Sequence, residues 1–317
     1  MNKIIVAGGA GFLGSHLCAR LLKEEKEVIC VDNLLTGSQS NITPLQTNPN
    51  FTFINQSVLD PLPDTLTADA IFHLASPASP NHHSPVSYHA LPMETMLANT
   101  QGTLRLLRFA KKNNARFLFA STSEAYGDPL EHPQKEEYRG NVSTLGPRSV
   151  YDEAKRFGET LTSYFNRDEG VDTRIVRIFN TYGPHMSKED MRMIVIFITQ
   201  ALENKPITVF GDGSQTRSLC YVDDLIEGLM RLMFYPNLGG EVVNLGVAEE
   251  HTVLEFAQFV KKLTGSQSEI VMSEGLPEDD PLKRRPDISK AKKLLDWEPK
   301  VGLEEGLKKI IAYFQTI

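Results

Sequence analysis

With 317 residues, of which 41% are apolar and 23% charged, the chain has the composition of a globular protein large enough for one or two domains. The net charge is −7 and the chain contains no long run of one sign, which weighs against a nucleic-acid-binding protein. No stretch approaches the ~20 apolar residues of a membrane span, which weighs against a membrane protein. Three scattered cysteines match no metal-ligand spacing, so we expect a reduced, cytoplasmic protein.

Strands and helices are predicted to alternate along the first 180 residues. Short β-branched runs predict strands at 3–7, 27–31, 51–55, 69–74, 116–120 and 173–178. Apolar periodicity predicts helices at 12–23, 93–112 and 150–166. This alternation is typical of an α/β protein with a Rossmann-like, doubly wound parallel sheet, whose ligands bind beyond the carboxyl ends of the strands.

After Asn180 the pattern changes to short strands mixed with helices. Strands are predicted at 207–210, 241–245 and 269–272, and helices at 190–203, 222–235, 252–264 and 302–315. We therefore predict a nucleotide-binding domain at 1–180 and a smaller α/β domain at 181–317, which mainly binds substrate and returns some strands to the sheet. The segment 76–92, rich in Pro, Ser and His, is predicted to be a long loop of the kind that often carries function.

Three glycines follow the first strand: Gly8, Gly11 and Gly14 form the pattern G-x-x-G-x-x-G. Glycine lets the backbone turn tightly and approach a pyrophosphate, to which the following helix offers free N–H groups at its amino terminus. A simple turn before a helix is the alternative. The position of the glycines between a strand and an amphipathic helix favours a dinucleotide site.

Asp32 ends the second predicted strand, 18 residues after Gly14. A carboxylate at this position accepts hydrogen bonds from ribose hydroxyls and repels a 2′-phosphate, although a solvated strand-end aspartate is the alternative. Asn33 and the two leucines after it add no positive charge. The sequence therefore predicts NAD rather than NADP as the cofactor.

Tyr151 and Lys155 stand at positions i and i+4 of a predicted helix, one turn apart on the same face. A lysine ammonium at ~4 Å favours a phenolate by roughly 4 kcal/mol at an effective dielectric of about 20. We therefore expect Lys155 to lower the pKa of Tyr151 toward neutrality, where the tyrosine can take a proton from an alcohol. Because Y-x-x-x-K is common by chance, a surface tyrosine beside a lysine is the alternative.

Thr122, Ser123 and Glu124 follow the strand predicted at 116–120, so the doubly wound arrangement places them beside the cofactor. A threonine hydroxyl there can hydrogen-bond the reacting oxygen, and the next two side chains enter the same pocket. Turn chemistry at the end of a strand is the alternative interpretation.

Together these motifs resemble the extended short-chain dehydrogenase/reductase family of nucleotide-sugar enzymes. The resemblance rests on the glycine run, Asp32, HLA (73–75), TSEAYGD (122–128), YDEAK (151–155) and RIFNTYGP (177–184). Further segments look like the UDP-glucuronate decarboxylase branch: HLASPASP (73–80), STSEAYGDPLEHPQ (121–134), GDGSQTRS (211–218), YVDDL (221–225) and DDPLKRRPDISKAK (279–292). The resemblance covers almost the whole chain.

The resemblance implies an NAD-dependent reaction on a nucleotide sugar through a 4-keto intermediate, with loss of CO2 from UDP-glucuronate. It implies a hydride-transfer triad of Thr122, Tyr151 and Lys155, and it places Glu124, Ser123 and Arg217 at the sugar carboxylate and C5. Cofactor contacts are implied at Gly8, Gly11, Phe12, Leu13, Gly14, Asp32, Asn33, Leu74, Ala75, Tyr151 and Lys155. Substrate contacts are implied at Ser79, Asn180, Arg192, Phe210, Arg217 and Arg284, with Asn180 and Arg284 at the diphosphate and the uridine along Thr208 and Phe210.

Two departures from the family pattern fall in the substrate region. Segment 189–197 reads EDMRMIVIF where the family has N-D-G-R-V-V-S-N-F, so Met191 replaces a glycine. The loop after Pro80 is a few residues longer than usual and contains three histidines, His82, His83 and His89. Since the implied mechanism needs no metal, we expect a solvated loop there. These departures leave the identity of the sugar open.

Position 123 distinguishes members of the family. A 4,6-dehydratase usually has an acid before the glutamate, whereas the neutral Ser123 better suits a neighbouring substrate carboxylate. The remaining alternatives are a 4-epimerase, which keeps the carboxylate, and a redox-sensing NAD-binding regulator, which predicts a degraded Tyr/Lys pair. The resemblance also implies a homodimer through helices near 93–112 and 150–166.

Overall fold

The structure, a computed structural model, describes residues 1–273, 275 and 283–317. The first four residues of the segment DDPLKRRPDISKAK therefore lie outside the described residues. In chain order the strands are β1 (Lys3–Ala7), β2 (Glu27–Asp32), β3 (Phe51–Asn55), β4 (Ala70–His73), β5 (Arg116–Thr122), β6 (Thr173–Ile178), β7 (Thr181–Tyr182), β8 (Ile207–Phe210), β9 (Thr216–Arg217), β10 (Cys220–Tyr221), β11 (Val242–Leu245), β12 (His251–Thr252) and β13 (Ile270–Ser273).

The helices are α1 (Phe12–Lys23), α2 (Gln39–Ile42), α3 (Pro92–Leu97), α4 (Thr103–Asn113), α5 (Ser149–Arg167), α6 (Met193–Leu202), α7 (Val222–Phe234), α8 (Val253–Thr264), α9 (Ser289–Leu295) and α10 (Leu303–Phe314). The sequence analysis predicted no helix at α9, a short element of seven residues without a side-chain cap among the described residues. No helix of the described chain is both long and apolar enough to cross a membrane.

Seven parallel strands form the central sheet, in the order β11-β6-β5-β4-β1-β2-β3. The order reverses between β1 and β4, and the crevice beyond the strand ends at such a switch point is the usual ligand site of open α/β sheets. Strand β11 pairs with β6 with Val243 opposite Val176, so the chain returns to the sheet after residue 180. The predicted Rossmann-like fold class is confirmed.

Both faces of the sheet are covered, which explains the continuous apolar runs of its strands. Ile4 and Val6 of β1 belong to the core layer that includes α1 and α7. Ile5 and Ala7 belong to a second layer that includes α4 and α5. The alternation along β1 thus divides the core between the two faces.

Two predicted helices differ from the structure. The helix predicted at 93–112 contains a π-helical stretch over Ala98–Gly102, where Asn99 O accepts the Thr103 hydroxyl and the buried His73 ring lies 3.1 Å from the same hydroxyl. The helix predicted at 190–203 begins only at Met193, because Met191 has a left-handed backbone with φ 54°. Periodicity alone detects neither a π-helical turn nor a left-handed residue.

Candidate active site

A cleft of about 840 Å³ opens at the carboxyl ends of the sheet strands. Its walls contain most of the residues that the sequence analysis selected: Gly8, Gly11, Phe12, Leu13, Gly14, Leu74, Ser79, Thr122, Ser123, Glu124, Tyr151, Lys155, Asn180, Arg192, Phe210, Arg217 and Arg284. Three selected residues, Asp32, Asn33 and Ala75, do not line the cleft.

The glycine turn after β1 is a tightly packed piece of backbone. Gly8 has φ 83°, and a Cβ there would lie 2.6 Å from the backbone nitrogen of Ala75. A Cβ on Gly14 would lie 2.0 Å from the carbonyl oxygen of Gly8. Within the described residues no side chain caps α1, and its first turn contains no acid. The turn therefore leaves amide donors of α1 for an anion, as a bound dinucleotide pyrophosphate requires.

Asp32 is fixed at the end of β2 by two backbone donors. Its carboxylate accepts hydrogen bonds from Ala10 N at 3.0 Å and Leu34 N at 2.8 Å. Burial raises the pKa of this carboxyl. Because a carboxylate has about four acceptor positions, the two oxygens can still accept ribose hydroxyls. Asn33 is exposed, and its side-chain oxygen accepts from Leu35 N at 3.2 Å.

Tyr151 and Lys155 lie on α5 with both side chains buried. Lys155 Nζ donates to Ala120 O at 2.7 Å and lies 5.6 Å from the centroid of the Tyr151 ring. Burial lowers the pKa of Lys155 to about 7 and raises the pKa of Tyr151 to about 12, while a hydrogen bond with Thr122 acts to lower the latter. The expected lowering of the Tyr151 pKa by Lys155 is thus wrong for this structure, since desolvation raises this pKa and the groups that act to lower it are Thr122 and Arg192.

An ion pair anchors α5 beneath the site. Glu159, one turn after Lys155, accepts two hydrogen bonds from the Arg177 guanidinium at 2.9 and 2.8 Å. The same carboxylate accepts the Ser121 hydroxyl at 2.5 Å. Because Ser121 and Arg177 belong to β5 and β6, these contacts fix the helix that carries Tyr151 against the sheet.

A buried cluster of charges lies at the end of β5. Glu124 is bonded through one carboxylate oxygen to Arg148 and through the other to Arg284. Although burial opposes it, the two guanidinium charges lower the pKa of Glu124 to about 2. Asp152 lies beside this cluster, and burial together with the Glu124 charge raises its pKa to about 8. At neutral pH Glu124 is therefore ionised and Asp152 is mostly protonated.

Two of the three arginines expected to contact substrate, Arg284 and Arg217, have different partners in the structure. The resemblance places Arg284 at the diphosphate, whereas in the structure its guanidinium binds Glu124 at the end of β5. Arg217 lies on β9, where its Nη1 donates to Thr216 O at 2.8 Å, and it shares a wall with Phe210. The sequence separation of 160 residues between Glu124 and Arg284 kept this pairing out of reach of motif reasoning.

Three further predicted substrate residues border the same cleft. Ser79 donates its hydroxyl to Asp190 O at 2.5 Å. Arg192 donates to Ala78 O at 2.8 Å and pairs with the Asp190 carboxylate at 3.1 Å. Asn180 follows β6, and its backbone carbonyl accepts from Cys220 N at 2.8 Å.

Sequence reasoning missed Arg148, Asp152 and Tyr88. The Tyr88 ring stacks on that of Tyr151, with centroids 4.8 Å apart and planes 11° apart, and its buried hydroxyl has no hydrogen-bond partner among the described residues. Arg148 stands three residues before Tyr151, a spacing that would have placed it on the same helical face. Tyr88 lies in a loop without any periodic signal.

The histidine-rich loop is only partly solvated. His82 and His83 are exposed, but the His82 ring stacks on that of His89 at 3.7 Å. Burial lowers the pKa of His89 to about 4, and neighbouring positive groups act in the same direction. Across the described ranges, no group of three or more His, Cys, Asp or Glu side chains is arranged to hold a metal ion.

Comparison with known proteins places this site in a family. The profile of the NAD dependent epimerase/dehydratase family matches residues 4–246. The chain belongs to this family. UDP-glucuronic acid decarboxylase 1 of Arabidopsis thaliana is 49% identical over 99% of this chain and 70% of its own length. The protein of the same name from Danio rerio is 50% identical over 99% of this chain and 72% of its own.

Solved structures of the family share the fold along the whole chain. UDP-glucose 4-epimerase from Thermotoga maritima is 32% identical, with a TM-score of 0.87 over 100% of this chain and 99% of its own. UDP-glucuronic acid 4-epimerase from Bacillus cereus, solved with UDP-glucuronic acid and NAD, is 31% identical, with a TM-score of 0.87 over 99% of both chains. Membership of an NAD-dependent family confirms the predicted cofactor.

Proposed function

We propose that this enzyme decarboxylates UDP-glucuronate to UDP-xylose with NAD as its cofactor. The observation that carries the proposal is the convergence of Arg148 and Arg284 on the wall of the cleft, next to Tyr151. Guanidinium groups bind carboxylates in a bidentate way, so this end of the cleft suits a sugar acid rather than a neutral hexose. The decarboxylases that are 49–50% identical over almost the whole chain support the same reaction.

Tyr151 and Thr122 hold the sugar 4-oxygen, and the phenolate form of Tyr151 takes the proton of the 4-hydroxyl as C4 is oxidised. Burial disfavours this phenolate, and the positive charge of a bound NAD⁺ would favour it. NAD⁺ supplies the hydride acceptor when it is bound. The amides of the glycine turn would hold its pyrophosphate, and Asp32 would accept its ribose hydroxyls.

Oxidation at C4 makes the sugar a β-keto acid. The bond between C5 and the carboxylate breaks, and its electron pair forms an enolate on the 4-oxygen, to which Tyr151 now donates. Arg148 and Arg284 orient the carboxylate before it leaves, while the ionised Glu124 keeps the two guanidinium groups in place. A proton taken up from solvent at C5 restores the 4-ketone. With NADH bound, the hydride would return to C4 while Tyr151 gives its proton back to the 4-oxygen, which yields the pentose.

The remaining assignments concern the two parts of the chain and the dimer interface. Residues 1–180 bind the cofactor and residues 181–317 mainly bind the nucleotide sugar. Arg217, which the resemblance placed at the sugar carboxylate, is instead assigned with Phe210 to the nucleotide side of the cleft, since both line it and Arg148 and Arg284 occupy the end of β5. The enzyme forms a homodimer through α3, α4 and α5. Apolar side chains exposed on these helices support this surface: Met93 is 55% exposed, Phe157 50% and Tyr164 41%.

A UDP-glucuronate 4-epimerase is the second candidate. The same two arginines suit its substrate, and the Bacillus cereus enzyme solved with UDP-glucuronic acid shares 31% of its residues with this chain. An epimerase keeps the carboxylate, so the two candidates differ in the mass of the product.

The test is incubation of the purified enzyme with NAD⁺ and UDP-glucuronate, with UDP-glucose and dTDP-glucose in parallel, followed by mass spectrometry. We expect UDP-glucuronate to lose one CO2. An isomer of unchanged mass would identify the 4-epimerase instead. Loss of water from either hexose, with UDP-glucuronate untouched, would contradict both candidates.

A further inference from the structure

The loop 78–87 is hydrogen-bonded to the segment 187–192, and residues of both line the cleft. The contacts run from side chains to backbone carbonyls: Ser79 Oγ to Asp190 O at 2.5 Å, Ser84 Oγ to Glu189 O at 2.5 Å, Asn81 Nδ2 to Met191 O at 2.8 Å and, in the reverse direction, Arg192 Nη2 to Ala78 O at 2.8 Å. Both Ser79 and Ser84 are buried, with 3% and 1% of their surface exposed. Three consecutive carbonyls of the segment therefore each accept a hydrogen bond from the loop.

The loop that supplies these donors is itself well braced. Ser79 and Ser87 form a β-bridge at its base, and Tyr88 N donates to Ser79 O at 3.1 Å. Asn81 Oδ1 accepts from His83 N at 2.8 Å, which orients the Asn81 amide. Directly after the base, the Tyr88 ring stacks on Tyr151. The loop thus connects the reacting end of the cleft with the segment 187–192.

The segment needs such support because of Met191. Its φ of 54° lies in the left-handed region, which is unfavourable for a residue with a Cβ and rarely adopted outside glycine, asparagine and aspartate. The following residue, Arg192, is extended and starts α6, so the turn at Met191 sets the direction of both. Without its hydrogen bonds, the backbone at Met191 would relax toward negative φ and carry Arg192 away from the cleft.

We propose that Ser79, Asn81 and Ser84 act as a strap, a set of positioning residues that fix Arg192 and the start of α6 for binding of the nucleotide sugar. The inference rests on the proposed function for the identity of that substrate. It also connects two departures noted in the sequence, since the longer loop supplies the donors Asn81 and Ser84 and the segment contains methionine in place of glycine. The longer loop stabilises the turn that a glycine would adopt unaided.

The strap is tested by removing its donors singly in the NAD-loaded enzyme. Asn81→Ala and Ser84→Ala should each raise the Kd of UDP, measured by calorimetry, and the KM of the sugar substrate by roughly three- to tenfold, the effect of one lost hydrogen bond. The kcat and the affinity for NAD should change less than twofold, because neither donor contacts the glycine turn. Deuterium uptake by the amides of 187–192 should become faster.

Two further variants separate positioning from folding. His83→Ala alters an exposed side chain of the same loop and should match the wild type in every measurement. Should Asn81→Ala fail to fold, Asn81→Asp keeps the acceptor for His83 N and replaces the donor to Met191 O with a charged carboxylate oxygen, which should weaken UDP binding at least as much. Adding Met191→Gly or Met191→Asn to the Asn81 variant should restore most of the UDP affinity, since both residues tolerate the left-handed backbone.

The strap proposal would be overturned if Asn81→Ala and Ser84→Ala both left the UDP affinity and the deuterium uptake of the amides of 187–192 unchanged. Failure of both Met191 substitutions to rescue the Asn81 variant would equally overturn it. The proposed function is judged separately: if the wild-type enzyme leaves UDP-glucuronate intact while Asn81→Ala still weakens UDP binding, the decarboxylase assignment fails and the strap stands.

Discussion

The two ends of the cleft lie at the same edge of the sheet but differ in how they are built. At the cofactor end the contacts are mainly between backbone atoms, with Gly8 against Ala75 and Gly14 against Gly8. At the substrate end they are made by charged and polar side chains, such as Glu124 with Arg284 and Ser84 with Glu189, whose partners lie 160 and 105 residues apart. The glycine turn and Asp32 of the dinucleotide site therefore lie close together in the chain, whereas the substrate site combines residues that are far apart in sequence.

The difference extends to electrostatics. The cofactor end relies on helix amides and a single carboxylate, Asp32. The substrate end buries two arginines and two acids together, which leaves one acid ionised and the other mostly protonated at neutral pH. At the cofactor end, a substitution should therefore act by adding atoms where the backbone is closely packed. At the substrate end, it should act by leaving a buried charge without its partner.

We expect the largest loss of activity from a substitution at Tyr151, which lies where the cofactor end and the substrate end of the cleft meet. Tyr151→Phe removes one hydroxyl and little volume, so the fold and NAD binding should survive. Loss of proton transfer should lower kcat by roughly 10²–10⁴. Turnover of UDP-glucuronate by the purified variant measures this. Near-normal turnover would show that another group takes the proton.

Arg284 tests the charged end. Arg284→Ala leaves Glu124 with one partner fewer and removes a ligand for the substrate carboxylate, so kcat/KM should fall by roughly 30-fold or more, equivalent to at least about 2 kcal/mol. Arg217→Ala is the matched comparison: on the nucleotide side of the cleft, it should mainly raise KM. Steady-state kinetics with UDP-glucuronate distinguish them, and the reverse pattern would exchange the two assignments.

Gly8 tests the backbone end. Gly8→Ala adds a Cβ 2.6 Å from Ala75 N at a φ of 83°, so the turn must shift and the Kd for NAD should rise about tenfold or more. Gly302→Ala is the control, because nothing lies within 4 Å of its added Cβ. Calorimetry with NAD on both variants measures the effect. Equal affinities would contradict the view that close backbone packing makes this site.

Asp152 gives the smallest expected effect and reports on charge balance. Its folded pKa of about 8 exceeds the unfolded value of about 3.9, so the folded state holds this proton more tightly and loses stability as pH rises between those values. Asp152→Asn mimics the protonated form and should escape that loss. Its Tm should exceed that of the wild type by a margin that grows from about pH 5 to about pH 9, reaching about 3 °C or more. A Tm difference between the variant and the wild type that does not change with pH would show that the pKa of Asp152 is not raised in the folded protein.

The contrast between the two ends also explains what the sequence could reveal. The glycine spacing, Asp32 and the Tyr151/Lys155 pair are local patterns. The glycines and the Tyr151/Lys155 pair line one cleft, and Asp32 is hydrogen-bonded to Ala10 of the glycine turn. The partners of Glu124 were not predictable in this way, because a salt bridge between remote residues leaves no trace in spacing. Tyr88 and the π-helical turn at Ala98–Gly102 likewise depend on tertiary packing. The pKa of Tyr151 was misjudged because burial cannot be read from helical position alone.

Strand β11 has a consequence for any attempt to divide the chain. It covers the outer edge of β6, so a fragment ending near residue 180 would expose the unpaired N–H and C=O groups of that strand. Exposed edges of this kind template aggregation. The nucleotide-binding part therefore cannot be excised as a self-sufficient module by a cut at Asn180. A fragment that keeps β11 paired with β6 would have to extend through Leu245, and it would then include α6 and α7.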